Sequence, residues 1–183
     1  MSETLLINHC SPTLAGIKTG NMFSCSYTCK NELNYEIRRL NRILVPKGLR
    51  IIPLRIKNGK ALIYVYRPSK LSCDLDNHLA AKLLRQCGYS GKNGNACLVE
   101  LISKMDSCES FPHEIGLFLG YPPEDVSGFI NDKPHSCKYS GFWKVYSDVD
   151  TAKKTFAKYV KCREIYCRRW NDGFSLEKLT VCV

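Results

Sequence analysis

The chain has 183 residues, 44% of them hydrophobic, and 27 Lys and Arg against 17 Asp and Glu, for a formal net charge of +10. That length allows one sizeable buried core, and the apolar content is ordinary for a globular protein. No stretch approaches the ~18–20 apolar residues that a bilayer-spanning helix needs.

Met1-Ser2-Glu3-Thr4 carries an acid and no basic region, and Leu5-Leu6-Ile7 is too short for a signal peptide, so a cytoplasmic protein is expected. The 11 cysteines are an odd number, and several occupy positions suited to small apolar residues, such as Cys87 and Cys97. Mostly reduced, structural thiols are the expectation. The charge is uneven: residues 30–70 hold 11 Lys and Arg against 2 acids, whereas 71–132 hold 4 against 9. A basic surface of this kind suits an anionic partner or serves as a solvated face.

In chain order, Thr4–His9 reads as a short buried strand. Ser11-Pro12 then reads as the start of a helix running to about Lys18, because Ser is a favoured N-cap and Pro fits the first helical position. Asn31–Val45 carries Leu33, Ile37, Leu40 and Leu44 at helical spacing. Two β-rich runs over 49–67 flank Asn58-Gly59, a strong hairpin signal. A two-residue turn there sets Ile56 opposite Ala61, Leu54 opposite Ile63 and Ile52 opposite Val65 as a core face, with Arg55, Tyr64 and Tyr66 behind. Pro53 makes the first of these strands an edge. Helices follow near Asp76–Cys87, Asn95–Lys104 and 113–119, and Pro122-Pro123-Glu124-Asp125 starts another. After a polar loop at 131–141 comes a strand, Phe142–Tyr146. A long helix, Asp150–Trp170, turns Ala152, Phe156, Tyr159, Val160, Tyr166 and Trp170 inward, and Gly173 caps it. The expected fold is α+β: one domain over 1–183, with a small, mostly antiparallel sheet packed by several helices.

Three places could carry chemistry. At His9-Cys10-Ser11-Pro12, a helix N-terminus would offer unpaired N–H groups and a favourable dipole to an anion, held by Ser11, Thr13 and Lys18. Cys10 would be a nucleophile or ligand there, and His9 an acid or base. Strand neighbours point to opposite faces, so adjacency alone does not couple His9 to Cys10. The alternative is a capped helix over a buried thiol.

His113–Ile130 has helix-turn-helix spacing. Its second helix begins Pro-Pro-Glu-Asp, which phosphates would repel, so a packing hairpin is favoured over DNA binding. The third place is Lys138–Tyr146 with Arg163, Arg168, Arg169 and Trp170. There aromatic rings alternate with cations such as Lys144 and Arg168, which suits a stacked ring bearing phosphate or carboxylate, or else a core flanked by solvated charge. No Cys-x2-Cys occurs, and Cys162 and Cys167 fall on different faces of a helix, so no metal site is assigned.

Four blocks resemble an uncharacterised bacterial domain-of-unknown-function family common in anaerobic Gram-positive bacteria: His9–Lys18, Leu62–Pro68, Phe111–Ile130, and Trp143-Lys144-Val145-Tyr146 with Arg169-Trp170. The resemblance spans essentially the whole chain. It implies a single-domain cytoplasmic protein of about this length, carries no activity or catalytic residue to transfer, and hints at redox or metal metabolism. Relatives tend to be cysteine-rich before the Trp-Lys-Val-Tyr block, whereas this chain has Cys137 and then Ser140-Gly141-Phe142, which weakens the case for a metal cluster. The function expected is binding of a small anionic ligand or cofactor, of identity unknown, near residues 9–18. The alternative is an interaction module whose basic face meets an acidic redox partner or, less favoured, nucleic acid; no membrane partner is expected.

Overall fold

Leu6, Ile7, Cys10 and Leu14 recur at helical spacing, and in the computed structural model they form the buried stripe of the first element, α1 (Glu3–Leu14). The structure describes residues 2–107, 111–131 and 136–182. The expected strand at Thr4–His9 is therefore helix, and Ser11 and Pro12 lie in its last turns rather than at its start. Pro12 is tolerated because its missing N–H leaves open only the carbonyl of Asn8, an exposed residue. The helix stops at Gly16, whose φ of 76° is left-handed. Ile17 N donates back to Pro12 O and Gly16 N to Thr13 O, which is the Schellman pattern.

By contact pattern the α+β chain divides into two compact units, Met1–Lys70 with Lys161–Val183, and Leu71–Val160. In the first, β1 (Gly20–Ser26), β2 (Arg50–Lys57) and β3 (Lys60–Tyr66) form an antiparallel sheet in the order β1-β3-β2. Strand β1 had no counterpart among the sequence expectations. The Asn58-Gly59 turn is as expected, with Asn58 at φ 52° and Gly59 at φ 72°. Helix α2 (Lys30–Leu44) buries Leu33, Ile37, Leu40 and Leu44.

The hairpin register departs from expectation at one residue. Ile56 faces Ala61, but Pro53 rather than Leu54 faces Ile63, and Ile51 rather than Ile52 faces Val65. Leu54 is the extra residue of a β-bulge, and one added residue exchanges the two faces beyond it. Ile51 accordingly joins α1, α2, Phe23, Ala61, Ile63 and Val65 in the core, while Ile52 is only half-buried. Tyr64 and Tyr66 do lie on the opposite face, as a stacked and buried pair with centroids 4.7 Å apart. Strand β2 is an edge, and the Asn41 amide occupies its outward groups: Nδ2 donates to Ile51 O at 2.8 Å and Ile51 N donates to Oδ1 at 2.9 Å.

Arg67, 1% exposed, closes this unit. Its Nε donates to Thr13 O (2.8 Å), Nη1 to Lys47 O (3.2 Å), and Nη2 to Leu14 O (2.9 Å) and Val181 O (2.7 Å). Two of these carbonyls end α1, where the helix dipole is negative and a cation is favoured.

The second unit contains α4 (His78–Gln86), α5 (Gly94–Ser107), the short α6 (Ile115–Phe118), α7 (Pro123–Asn131) and a two-stranded ribbon, β4 (Tyr139–Ser140) with β5 (Lys144–Val145). Helix α3 (Pro68–Leu75), absent from the sequence reading, precedes them. Asn77 caps α4 by accepting from Leu79 N and Ala80 N. The expected strand over 142–146 is only the two residues of β5, and the expected loop at 131–141 lies partly outside the described residues.

Helix α8 (Val149–Asn171) matches the long helix expected, with Ala152, Phe156 and Tyr159 buried, but Val160 is 39% exposed rather than inward. Phe174 N reaches back to Arg169 O past Gly173, the capping glycine expected. The last element, α9 (Leu176–Leu179), was also not foreseen. Among the described residues, no helix is long and apolar enough to cross a membrane.

Replacing Arg67 with Met removes all four donors and leaves carbonyls buried without partners. An unfolding free energy lower by at least about 3 kcal/mol is expected in urea titration. A loss below about 1 kcal/mol would contradict the role given to this side chain.

Candidate functional site

The opening junction does not present a helix N-terminus, because residues 9–14 are the C-terminal half of α1. Ser11 is no cap: its hydroxyl is buried and donates back to Ile7 O within the helix. Thr13 is buried and donates to Asn21 Oδ1 at 2.7 Å. His9 is exposed and stacks on Phe23, with centroids 5.4 Å apart and planes 9° off parallel. Cys10, its neighbour, turns into the core, so the helix separates the two.

Burial pushes the Cys10 thiol far up, and the nearby Lys18 ammonium only partly offsets that. A reactive thiolate needs the reverse. Lys18 is 4% exposed and donates to Gly20 O at 2.5 Å, and burial pulls its pKa from 10.5 down to about 7, against the opposing pull of Cys10. Arg168 is exposed in the last turn of α8.

Two segments read separately in the sequence meet in the second unit. The His113–Ile130 hairpin and the Ser140–Lys144 turn enclose a cleft of about 390 Å³, within the range of small-molecule sites. Asp125 fastens them. Its carboxylate, 2% exposed, accepts from Trp143 Nε1 at 2.7 Å through Oδ2, and from Tyr146 N, Ser147 N and Ser147 Oγ at 2.8 Å through Oδ1. The acid that weakened the DNA-binding reading is thus consumed in joining α7 to the ribbon.

Tyr121 stacks on Trp143 at 4.9 Å, and Trp143 meets Phe156 edge-on at 4.4 Å. Burial holds the Tyr121 phenol up at about 12, so it stays protonated and donates to Phe142 O at 3.3 Å. Gly141 and Gly128 permit this packing: a Cβ on the first would stand 2.2 Å from the Phe156 ring, and on the second 2.5 Å from Tyr146.

Phe111 and Phe142 stay more than 40% exposed at the cleft, His113 packs edge-on against Phe129 at 5.0 Å, and half-buried Lys144 is the one Lys or Arg in the described lining. The arrangement can stack a flat ring and offer it an ammonium and an imidazole. Lys144 was a binding candidate in the sequence; His113, Tyr121, Phe129 and Asp125 were read there only as parts of a helical hairpin favoured for packing over DNA binding. A Trp indole entering a core needs an acceptor, which is the signal that could have paired Trp143 with a distant carboxylate. Among the described residues, no three His, Cys, Asp or Glu side chains come together as a metal site would require.

Two outcomes follow for the first unit. Alkylation at neutral pH, followed by mass spectrometry, should label exposed Cys29, Cys73 and Cys182 before buried Cys10; early labelling of Cys10 would overturn its assignment to the core. For Lys18, the unfolded chain binds the proton more tightly than the fold does, so its contribution to stability rises as pH climbs above about 7. Ordinary thiol ionisation in the unfolded chain opposes this from about pH 9. The stability of the wild type relative to Lys18→Met should therefore increase by on the order of 1 kcal/mol per unit between pH 7 and 9. A difference independent of pH would be inconsistent with a buried, charge-disfavouring site.

No curated protein matches the chain, and no solved structure does. A family model does match, over residues 6–180, which is nearly the whole chain. The chain belongs to the family described as "Protein of unknown function (DUF3793)".

Proposed function

We propose that the protein binds a small planar anion, a ring compound bearing a carboxylate or phosphate, in the cleft between α7 and the β4–β5 turn. The ring lies against the aromatic walls, and the anionic group reaches Lys144. This keeps the ligand class expected from the sequence and moves the site from residues 9–18 to residues 111–144.

The observation that carries the reading is the lining itself: exposed Phe111 and Phe142, with Phe129, Tyr121 and Trp143, around one lysine. Stacking on such rings is worth about 1–3 kcal/mol per ring for a nucleobase-like ligand. Leaving two phenylalanines half in water costs nothing that a bound ring would not recover. Flavin mononucleotide and adenosine monophosphate have the required chemistry, and riboflavin and adenosine are their uncharged counterparts.

Trp143 reports on occupancy. In a Trp170→Phe background it is the sole indole of the chain. Saturable quenching by at least one of the two phosphates is expected, weakened ten-fold or more by Phe142→Ala. Lys144→Met should weaken the phosphate while leaving the matching nucleoside or riboflavin within about two-fold. Absence of any change in emission or melting temperature across these ligands, or equal binding by both variants, would remove the proposal.

A further inference from the structure

In the first unit, the face of the sheet turned away from α1 and α2 is divided along its length. Toward one end lie the buried Tyr64 and Tyr66; toward the Asn58-Gly59 turn lie Ser24, Ser26, Arg55, Lys57, Lys60 and Leu62. Lys57 and Lys60 are directly opposed across the hairpin, and Arg55 follows Lys57 on the same side of β2. Like charges placed opposite each other on adjacent strands repel. All three cations are exposed, and among the described residues none has a carboxylate partner. Together with Ser24, Asn58 and half-buried Leu62 they line an open groove of about 380 Å³.

We propose that this groove is a second binding site, for the phosphodiester backbone of a single-stranded nucleic acid. Arg55 and Lys57 are two residues apart on a strand, about 7 Å by the strand repeat of ~3.4 Å. Lys60 stands one strand spacing away, about 5 Å. An open row of cations at these intervals suits a repeating polyanion, whereas a lone phosphate is better held by donors converging in an enclosed pocket. Bound phosphates also relieve the Lys57–Lys60 repulsion and release condensed counterions. Leu62 offers an apolar floor beside the row, against which a base or sugar packs, and the Ser24 hydroxyl and Asn58 amide supply neutral hydrogen bonds. The site is independent of the aromatic cleft, which lies in the other unit.

The test is fluorescence anisotropy with a labelled 20-nucleotide poly-dT strand and full-length protein at 20–200 mM salt. Affinity should fall with salt along a log–log slope near −0.7 per phosphate contacted. The triple substitution Arg55→Gln, Lys57→Gln, Lys60→Gln should weaken binding at least ten-fold and flatten the slope by about two. A control with the same charge removed from exposed positions on α8, Lys154→Gln, Lys158→Gln, Lys161→Gln, should change affinity less than three-fold. Melting temperatures no lower than that of the wild type in both variants show that the fold is retained.

No binding at 20 mM salt would overturn the proposal, as would equal losses in the two variants, which would indicate net charge alone. Displacement of the strand by millimolar inorganic phosphate would replace it with a free-phosphate site. Tighter binding of polyglutamate than of poly-dT would replace it with an acidic protein partner.

Discussion

The first unit depends on a buried positive charge that, among the described residues, no carboxylate neutralises. Arg67 sits at the end of β3, and its guanidinium ends on four backbone carbonyls from three separate places: the last turn of α1, the turn after α2, and the C-terminal segment. Burying a cation costs several kcal/mol unless its donors are satisfied. Here the carbonyls at the end of α1 supply both hydrogen bonds and the negative end of the helix dipole. The planar fork matters, because a lysine ammonium could not reach three segments in fixed directions. Val181 N in turn donates to Leu14 O, so the same helix end holds the C-terminal segment from both sides.

A second buried ion, of opposite sign, plays a comparable part in the other unit. Asp125 is a carboxylate that accepts four hydrogen bonds, and it converts two weakly structured pieces, a nine-residue helix and a ribbon of two-residue strands, into the walls of one cleft. Isolated two-stranded ribbons are marginal in water. The ribbon persists because its Trp143 and Val145 pack with Phe156 and Tyr159 of α8 while Asp125 fixes its backbone. Supports of this kind fix the position of exposed rings such as Phe142, as the proposed ligand site requires.

The sequence was legible where a periodic pattern agreed with its punctuation. The four leucine-class residues of α2, the Asn58-Gly59 turn and the Gly173 cap were all readable, because spacing and turn chemistry pointed the same way. At α1 they conflicted. Ser11-Pro12 has the composition of a helix start, but Leu6, Ile7, Cys10 and Leu14 required a helix already under way, and burial of that stripe prevailed. The Leu54 bulge was invisible because nothing local distinguishes a residue inserted into a strand from one in register. Of the cleft, Lys144 and the aromatic block could be read, whereas Asp125 appeared only as a reason against DNA binding. Its real partners lie about twenty residues away, a distance over which one sequence carries no pairing signal.

The edge strand β2 has a consequence for how copies of the protein meet. An open sheet edge presents a ladder of N–H and C=O groups on which another chain can add a strand. Along β2 that ladder is broken three times in succession: Asn41 occupies the groups of Ile51, Pro53 has no N–H, and the bulge at Leu54 interrupts the repeat. An incoming strand would find no run of free groups long enough to register against. Features that look like irregularities in the hairpin thus protect that side of the sheet from self-association, and leave the hairpin's basic face turned to solvent.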